Sequence, residues 1–92
     1  MIRALMSEHI TDRKHPFATK DGRKYRVSIR GEQRKDGTWS GWLEFTDLAT
    51  GKIFRTGQET SQPNRTTVEY WATGIEDVYL EGALQRAREV ED

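Results

Sequence analysis

Two histidines and an aspartate near the N-terminus are the residues whose types come closest to a metal site. His9, Asp12 and His15 lie three residues apart. Zinc accepts imidazole and carboxylate ligands, but its sites need three or four ligands that neighbouring groups hold in place. The spacing matches no standard site, so we predict no metal. The sequence has no cysteine, which excludes thiolate ligands, thiol nucleophiles and disulfides.

Two glycine-containing motifs resemble binding loops but lack essential residues. Thr50-Gly51-Lys52 ends like a phosphate-binding loop, yet the upstream glycine is missing and a strand is predicted where a helix should begin. Asp36-Gly37 lacks the alternating acidic residues of a calcium loop. Both motifs are typical of turns. We therefore predict no cofactor.

Polar residues beside aromatic residues form a third candidate, at the predicted junction between sheet and helix. A small ligand or an acid–base reaction could use such a corner. The same side chains could instead cap the helix and satisfy the loop backbone, which is the interpretation we prefer. No grouping names a reaction, so we predict no catalytic residue and expect a non-enzymatic protein. The possible ligand-binding residues are Glu59, Gln62, Asn64, Arg65 and Tyr70.

Alternating apolar residues predict the strands that would position these groups. Residues 24–30 alternate strictly, which is typical of a half-buried strand. A turn at Asp36-Gly37 leads to a second alternating segment, residues 38–46, and the turn at 47–51 leads to a third strand that begins at 52. The sequence therefore predicts an α+β fold that starts with a three-stranded antiparallel β-meander.

The same alternation assigns side chains to the two faces of the sheet. Val27 and Leu43 should point inward, toward a helix that covers one side. The opposite side would be left open, with arginine and tryptophan side chains on it. These outward residues are Arg26, Arg30, Trp42 and Glu44.

One long C-terminal helix is predicted from about residue 66 to residue 90. Thr66 and Glu69 fit a capping box at its start. Val68, Trp71, Ala72, Ile75, Val78 and Tyr79 form an apolar stripe that should face the sheet.

A second apolar stripe on this helix is rotated from the first and includes Leu80 and Leu84. Either Gly82 kinks the helix so that both stripes face one core, or the helix is straight. In a straight helix the second stripe would pack on the N-terminal arm or on another subunit. We prefer the straight helix, because one internal glycine costs only about 1 kcal/mol relative to alanine.

Length and composition predict a single β-β-β-α domain over residues 21–92, preceded by a flexible or loosely docked arm over residues 1–20. The chain has 92 residues, too few for two independent cores. It has no apolar run long enough to span a membrane, and its N-terminal apolar stretch is too short and too charged for a signal peptide. We therefore expect a cytoplasmic protein that does not interact with membranes.

Charge and core size bear on possible partners. Residues 1–35 contain ten Lys and Arg against four Asp and Glu, whereas residues 36–92 contain five against eleven. Hydrophobic residues make up only 34% of the chain, so association could add burial that a small core lacks. We therefore expect a homo-oligomer or a protein-binding domain. The predicted interaction surface comprises Arg26, Arg30, Trp42, Glu44, Leu80 and Leu84.

Two alternative functions remain open. Arginine beside an exposed aromatic ring can hold single-stranded nucleic acid, because bases stack on rings and cations follow phosphates. An isoelectric point near 6.7 and Glu44 on the same face make this partner less favoured than a protein. The other alternative is a ligand-binding or enzymatic site at the junction described above.

Several segments resemble those of a family of small uncharacterised bacterial proteins. The resemblance covers about residues 24–88, and it implies a bacterial, single-domain protein without transferring any site. The segments that carry it are Trp39-Ser40-Gly41-Trp42, residues 55–65, Glu69-Tyr70-Trp71-Ala72-Thr73-Gly74 and Tyr79-Leu80-Glu81-Gly82-Ala83-Leu84.

Overall fold

The protein folds into a six-stranded antiparallel sheet followed by two helices. The structure, a computed structural model, describes residues 7–91 and the side chains of residues 7–89. The strands are β1 (Ser7–Asp12), β2 (Phe17–Ala18), β3 (Lys24–Gln33), β4 (Trp39–Asp47), β5 (Ile53–Arg55) and β6 (Thr60–Gln62). The helices are α1 (Arg65–Thr73) and α2 (Asp77–Glu91). Within the described residues, no helix is long and apolar enough to cross a membrane.

The sheet follows the order β1-β3-β4-β5, while β2 also pairs with β3 and β6 with β4. The α+β class and the antiparallel sheet are confirmed, but a three-stranded meander understates the sheet. β1 extends it on one side, and its register slips at a bulge between His9 and Thr11. The predicted arm therefore contains two strands that the sequence analysis did not identify, and its first six residues lie outside the described part of the chain.

The register of β3 and β4 confirms the predicted assignment of faces. Arg30 pairs with Trp42 across the ladder, and paired residues point to the same face. Val27 is 1% exposed and Leu43 is fully buried beneath the helices. Trp42 lies on the opposite side of the sheet, which we call the open face.

The single long helix is wrong, because the helical segment breaks after Thr73. Gly74 caps the end of α1 by donating its backbone N–H to carbonyls of the last turn, and α2 begins three residues later. Gly82, the predicted position of a kink, lies within α2. The predicted capping box is also displaced: Asn64 is the N-cap, and its side chain accepts a hydrogen bond of 2.9 Å from the backbone N–H of Thr67.

The break explains why the two apolar stripes were out of phase. The turn at residues 74–76 reorients the chain, so that residues of both helices reach one core. Leu80 is fully buried and Leu84 is 4% exposed, packed in that core with Val68 and Ala72. Leu80 and Leu84 are therefore core residues and not part of an interaction surface.

Close approach of α1 to the sheet depends on a glycine in β4. A Cβ atom at Gly41 would lie 3.1 Å from Cγ1 of Val68 and 3.0 Å from Cγ2 of Thr60. Both distances are shorter than ordinary van der Waals contact between carbon atoms. Gly41 thus lets the first helix pack directly on the strand, and this fixes the height of α1 above the sheet.

Candidate interaction surfaces

Charged side chains on the open face are largely paired within the chain. Glu44 accepts a hydrogen bond of 2.9 Å from Nε of Arg55, and its carboxylate also lies 3.9 Å from Nε of Arg30. Arg30 in turn donates to the hydroxyl of Ser7 on β1, at 3.2 Å. The carboxylate of Glu44 therefore interacts with two guanidinium groups and links β3, β4 and β5 on this face.

A second polar cluster occupies the end of the open face formed by β1. Asp12 accepts hydrogen bonds from Nε2 of His9 at 2.8 Å and from the hydroxyl of Ser28 at 2.7 Å. The bond from His9, followed by that from Ser28, lowers the pKa of Asp12. His15 takes no part in this cluster. Across residues 7–91, no three His, Asp or Glu side chains come together as metal ligands would.

Trp42 differs from its neighbours because its polar atom is unsatisfied. The side chain is half-buried on the open face, and Nε1 of its indole is buried. The described part of the chain offers this N–H no hydrogen-bond acceptor. Arg26, four residues before Arg30 on β3, is exposed on the same face.

The five possible ligand-binding residues at the junction do not converge on one site. Asn64 caps α1, as described above, and the amide of Gln62 donates to the hydroxyl of Thr60 at 2.6 Å. Arg65 donates to Glu8 on β1 at 3.0 Å and to Glu69 one turn along α1. The paired carboxylates raise the pKa of Arg65, with the hydrogen bond to Glu8 as the main cause. Asn64 therefore caps a helix, Arg65 joins α1 to β1, and Gln62 bonds within its own strand.

Glu59 is also one of the five predicted residues, but its side chain contacts α2. Its side chain is only 9% exposed, and its Oε1 accepts hydrogen bonds from the hydroxyl of Tyr79 and, at 2.7 Å, from Arg86. The guanidinium of Arg86 also lies over the ring of Tyr79, 5.8 Å from its centroid. Burial, followed by the bond to Glu59, raises the pKa of Tyr79 to about 12. Tyr79 is therefore held in its neutral form.

An exposed apolar groove lies at the turn between α1 and α2, and we call it the corner groove. Its volume is about 360 Å³. Tyr70 is 79% exposed and Val78 is 74% exposed, values far above those of the core residues on the same helices. Of the predicted junction residues, the groove includes Tyr70 alone. Its lining residues are Tyr70, Trp71, Gly74, Ile75, Glu76, Val78 and Tyr79.

Helical periodicity did not reveal this groove, because it placed Val78 and Tyr79 on the apolar stripe that faces the sheet. That assignment assumed a continuous helix, and the break at residues 74–76 turns both side chains toward solvent. A usable signal was present, since Gly74 follows an aromatic-rich segment at a position typical of a helix C-terminus.

No protein-family model, curated protein or solved structure matches this chain. The resemblance to a bacterial family of small proteins therefore stays a prediction.

Proposed function

We propose that this protein is a non-enzymatic binding domain that self-associates through its open face. The observation that carries the proposal is the buried indole N–H of Trp42, for which the described residues supply no acceptor. A buried donor without a partner costs about 1–3 kcal/mol. We infer that the indole ring repacks against a second copy, so that an acceptor of that copy reaches the N–H and the cost is removed on association.

Charge on the open face also supports pairing with a like surface. Arg26, Arg30 and Arg55 lie on the same face as Glu44 and Asp12. In a two-fold dimer the same surface patch of both copies forms the interface. Arginines of one copy can therefore face carboxylates of the other. Tryptophan and arginine are also the residues most enriched at the energetic centres of protein interfaces.

The same pairing of charges makes nucleic acid the less suitable partner for this face. Glu44 partly neutralises Arg30 and Arg55, and Asp12 adds a second carboxylate. Phosphate contacts need unpaired cations, because binding gains its free energy from counterion release. We therefore propose a protein partner for the open face.

We also propose that the domain resides in the bacterial cytoplasm, in keeping with the family resemblance and the absence of cysteine.

Sedimentation equilibrium of the full chain between about 1 and 100 µM tests the proposal, since weak interfaces have dissociation constants in this range. We expect a monomer–dimer equilibrium that Trp42→Ala and Arg26→Glu each shift toward monomer. Tyr70→Ala removes an exposed aromatic ring from the corner groove and should leave the equilibrium unchanged. A wild-type chain that remains monomeric throughout would falsify self-association.

A further inference from the structure

We propose that the corner groove binds a basic side chain, lysine or arginine, that a partner protein presents. This site lies in the helix layer, uses none of the residues of the open face, and does not depend on self-association. The groove combines an aromatic lining with an uncommitted carboxylate.

Three aromatic residues line the groove, and they come from both helices. Tyr70 and Trp71 lie on α1, and Tyr79 lies on α2. The faces of aromatic rings carry negative potential and attract cations, most strongly when water is partly excluded. Several rings around one opening are the arrangement that binds ammonium and guanidinium groups in proteins. Arg86 already lies over the ring of Tyr79, so the rings left for the cation of a partner are chiefly those of Tyr70 and Trp71.

Glu76 supplies the charge that favours a cation over an apolar group. It lines the groove and is exposed, and across the described residues its side chain makes no ion pair or hydrogen bond. The neighbouring Asp77 is different, because Arg13 pairs with it at 3.2 Å. An apolar segment laid over the groove would desolvate the Glu76 carboxylate without compensation, whereas a cation would pair with it.

The size of the groove fits one long side chain and its adjoining backbone. A volume of about 360 Å³ is at the lower end for small-ligand sites. Anionic partners are disfavoured, because Glu76 would repel phosphate groups of a nucleic acid or a lipid. The occupant that satisfies both the rings and the carboxylate is therefore a basic side chain.

Three peptides test the proposal by NMR titration of the isotope-labelled full chain. Each has the form acetyl-Gly-X-Gly-amide, where X is trimethyllysine, lysine or the neutral isostere norleucine. We expect chemical-shift changes centred on residues 70–79, with the lysine and trimethyllysine peptides each binding at least about tenfold more tightly than the norleucine peptide. Equal affinity of the charged and the norleucine peptides, or shifts confined to the open face, would overturn the proposal.

Variants separate the site from general charge effects. Tyr70→Ala should weaken trimethyllysine binding about tenfold, and Glu76→Gln about threefold to tenfold. Glu81→Gln removes the same charge from an exposed position on α2 outside the groove and should have no effect. An equal loss from Glu81→Gln and Glu76→Gln would count against a specific site. Binding should persist in Trp42→Ala, so failure of this site and failure of self-association are distinguishable.

Discussion

The open face and the corner groove leave opposite kinds of groups unsatisfied. On the open face the carboxylate of Glu44 is shared between two arginines, and the unmatched group is a donor, the indole N–H of Trp42. In the groove the hydroxyl of Tyr79 is already bonded to Glu59, and the charged group without a partner among the described residues is the carboxylate of Glu76. One surface needs an acceptor from its partner, and the other needs a cation.

This difference shows that charge content alone does not identify an interface. The open face holds more charged residues than the groove, yet most of them are paired within the chain, and exposed pairs contribute little free energy. A partner gains most where a group is desolvated and unpaired. Each surface should therefore respond to substitution of its own unmatched group.

The largest expected effect separates surface from core on α2. Leu80→Ala should lower the free energy of unfolding by about 2–5 kcal/mol, because Leu80 is fully buried and truncation leaves a cavity. Val78→Ala, on the exposed groove side of the same helix, should change it by less than about 0.5 kcal/mol. Urea denaturation monitored by circular dichroism measures both. If Leu80→Ala changed the free energy of unfolding only slightly but altered self-association, the second apolar stripe would be an interface after all.

A smaller loss is expected where α1 rests on the sheet and so positions one wall of the groove. Gly41→Ala should destabilise the fold by about 1–3 kcal/mol, because the new methyl group would crowd Val68 and Thr60. Gly57→Ala is the matched control, since an added Cβ there meets no atom within 4 Å. Denaturant midpoints of the two variants check this, and equal midpoints would show that α1 can move away from the sheet without cost.

Much of the sheet was predictable, because alternation in a half-buried strand leaves a clear record in the sequence. Val27 and Leu43 gave the correct inward face, and Trp42 gave the open one. β1 left no such record: of its six residues only Ile10 is apolar, since an edge strand can be held by backbone bonds and polar contacts.

The candidate site was less predictable, because it depends on a helix break. Ile75 and Val78 continue the apolar period of α1 beyond Gly74, so the periodicity indicated a continuous helix although glycine is a poor helix former. The groove exists only because α2 starts in a new direction there, and that direction is set by burial of Leu80 and Leu84 in the common core. Tertiary packing of this kind is not recorded in local sequence.

Trp42→Phe should preserve or raise the stability of the monomer but weaken its self-association, and so it tests the role of the open face. The variant retains an aromatic ring but removes the unsatisfied N–H, so the free energy of unfolding of the monomer should stay equal or rise by up to about 1 kcal/mol. Self-association should weaken about tenfold, because the donor to the second copy is lost. Dilute-solution denaturation and sedimentation equilibrium provide the two values. Destabilisation of the monomer would mean that the N–H is already bonded.

The smallest effect concerns the carboxylate behind the groove. The pKa of Tyr79 is raised to about 12, chiefly by burial and then by Glu59, so the neutral phenol contributes stability below about pH 10 that is lost as pH rises toward 12. Glu59→Gln should lower this pKa toward the ordinary value of about 10 and narrow the alkaline window. Because burial is the larger cause, the pKa should remain above that value.

NMR titration of ring-labelled tyrosine measures this shift, and Glu76→Gln provides the control. Both variants lose one negative charge near Tyr79, but only Glu59 accepts its hydrogen bond. A larger fall of the Tyr79 pKa in Glu59→Gln than in Glu76→Gln would show that Glu59 is committed within the chain. Equal falls would mean that the two carboxylates act alike on Tyr79, and Glu76 would then no longer be distinguished as the group left for a partner.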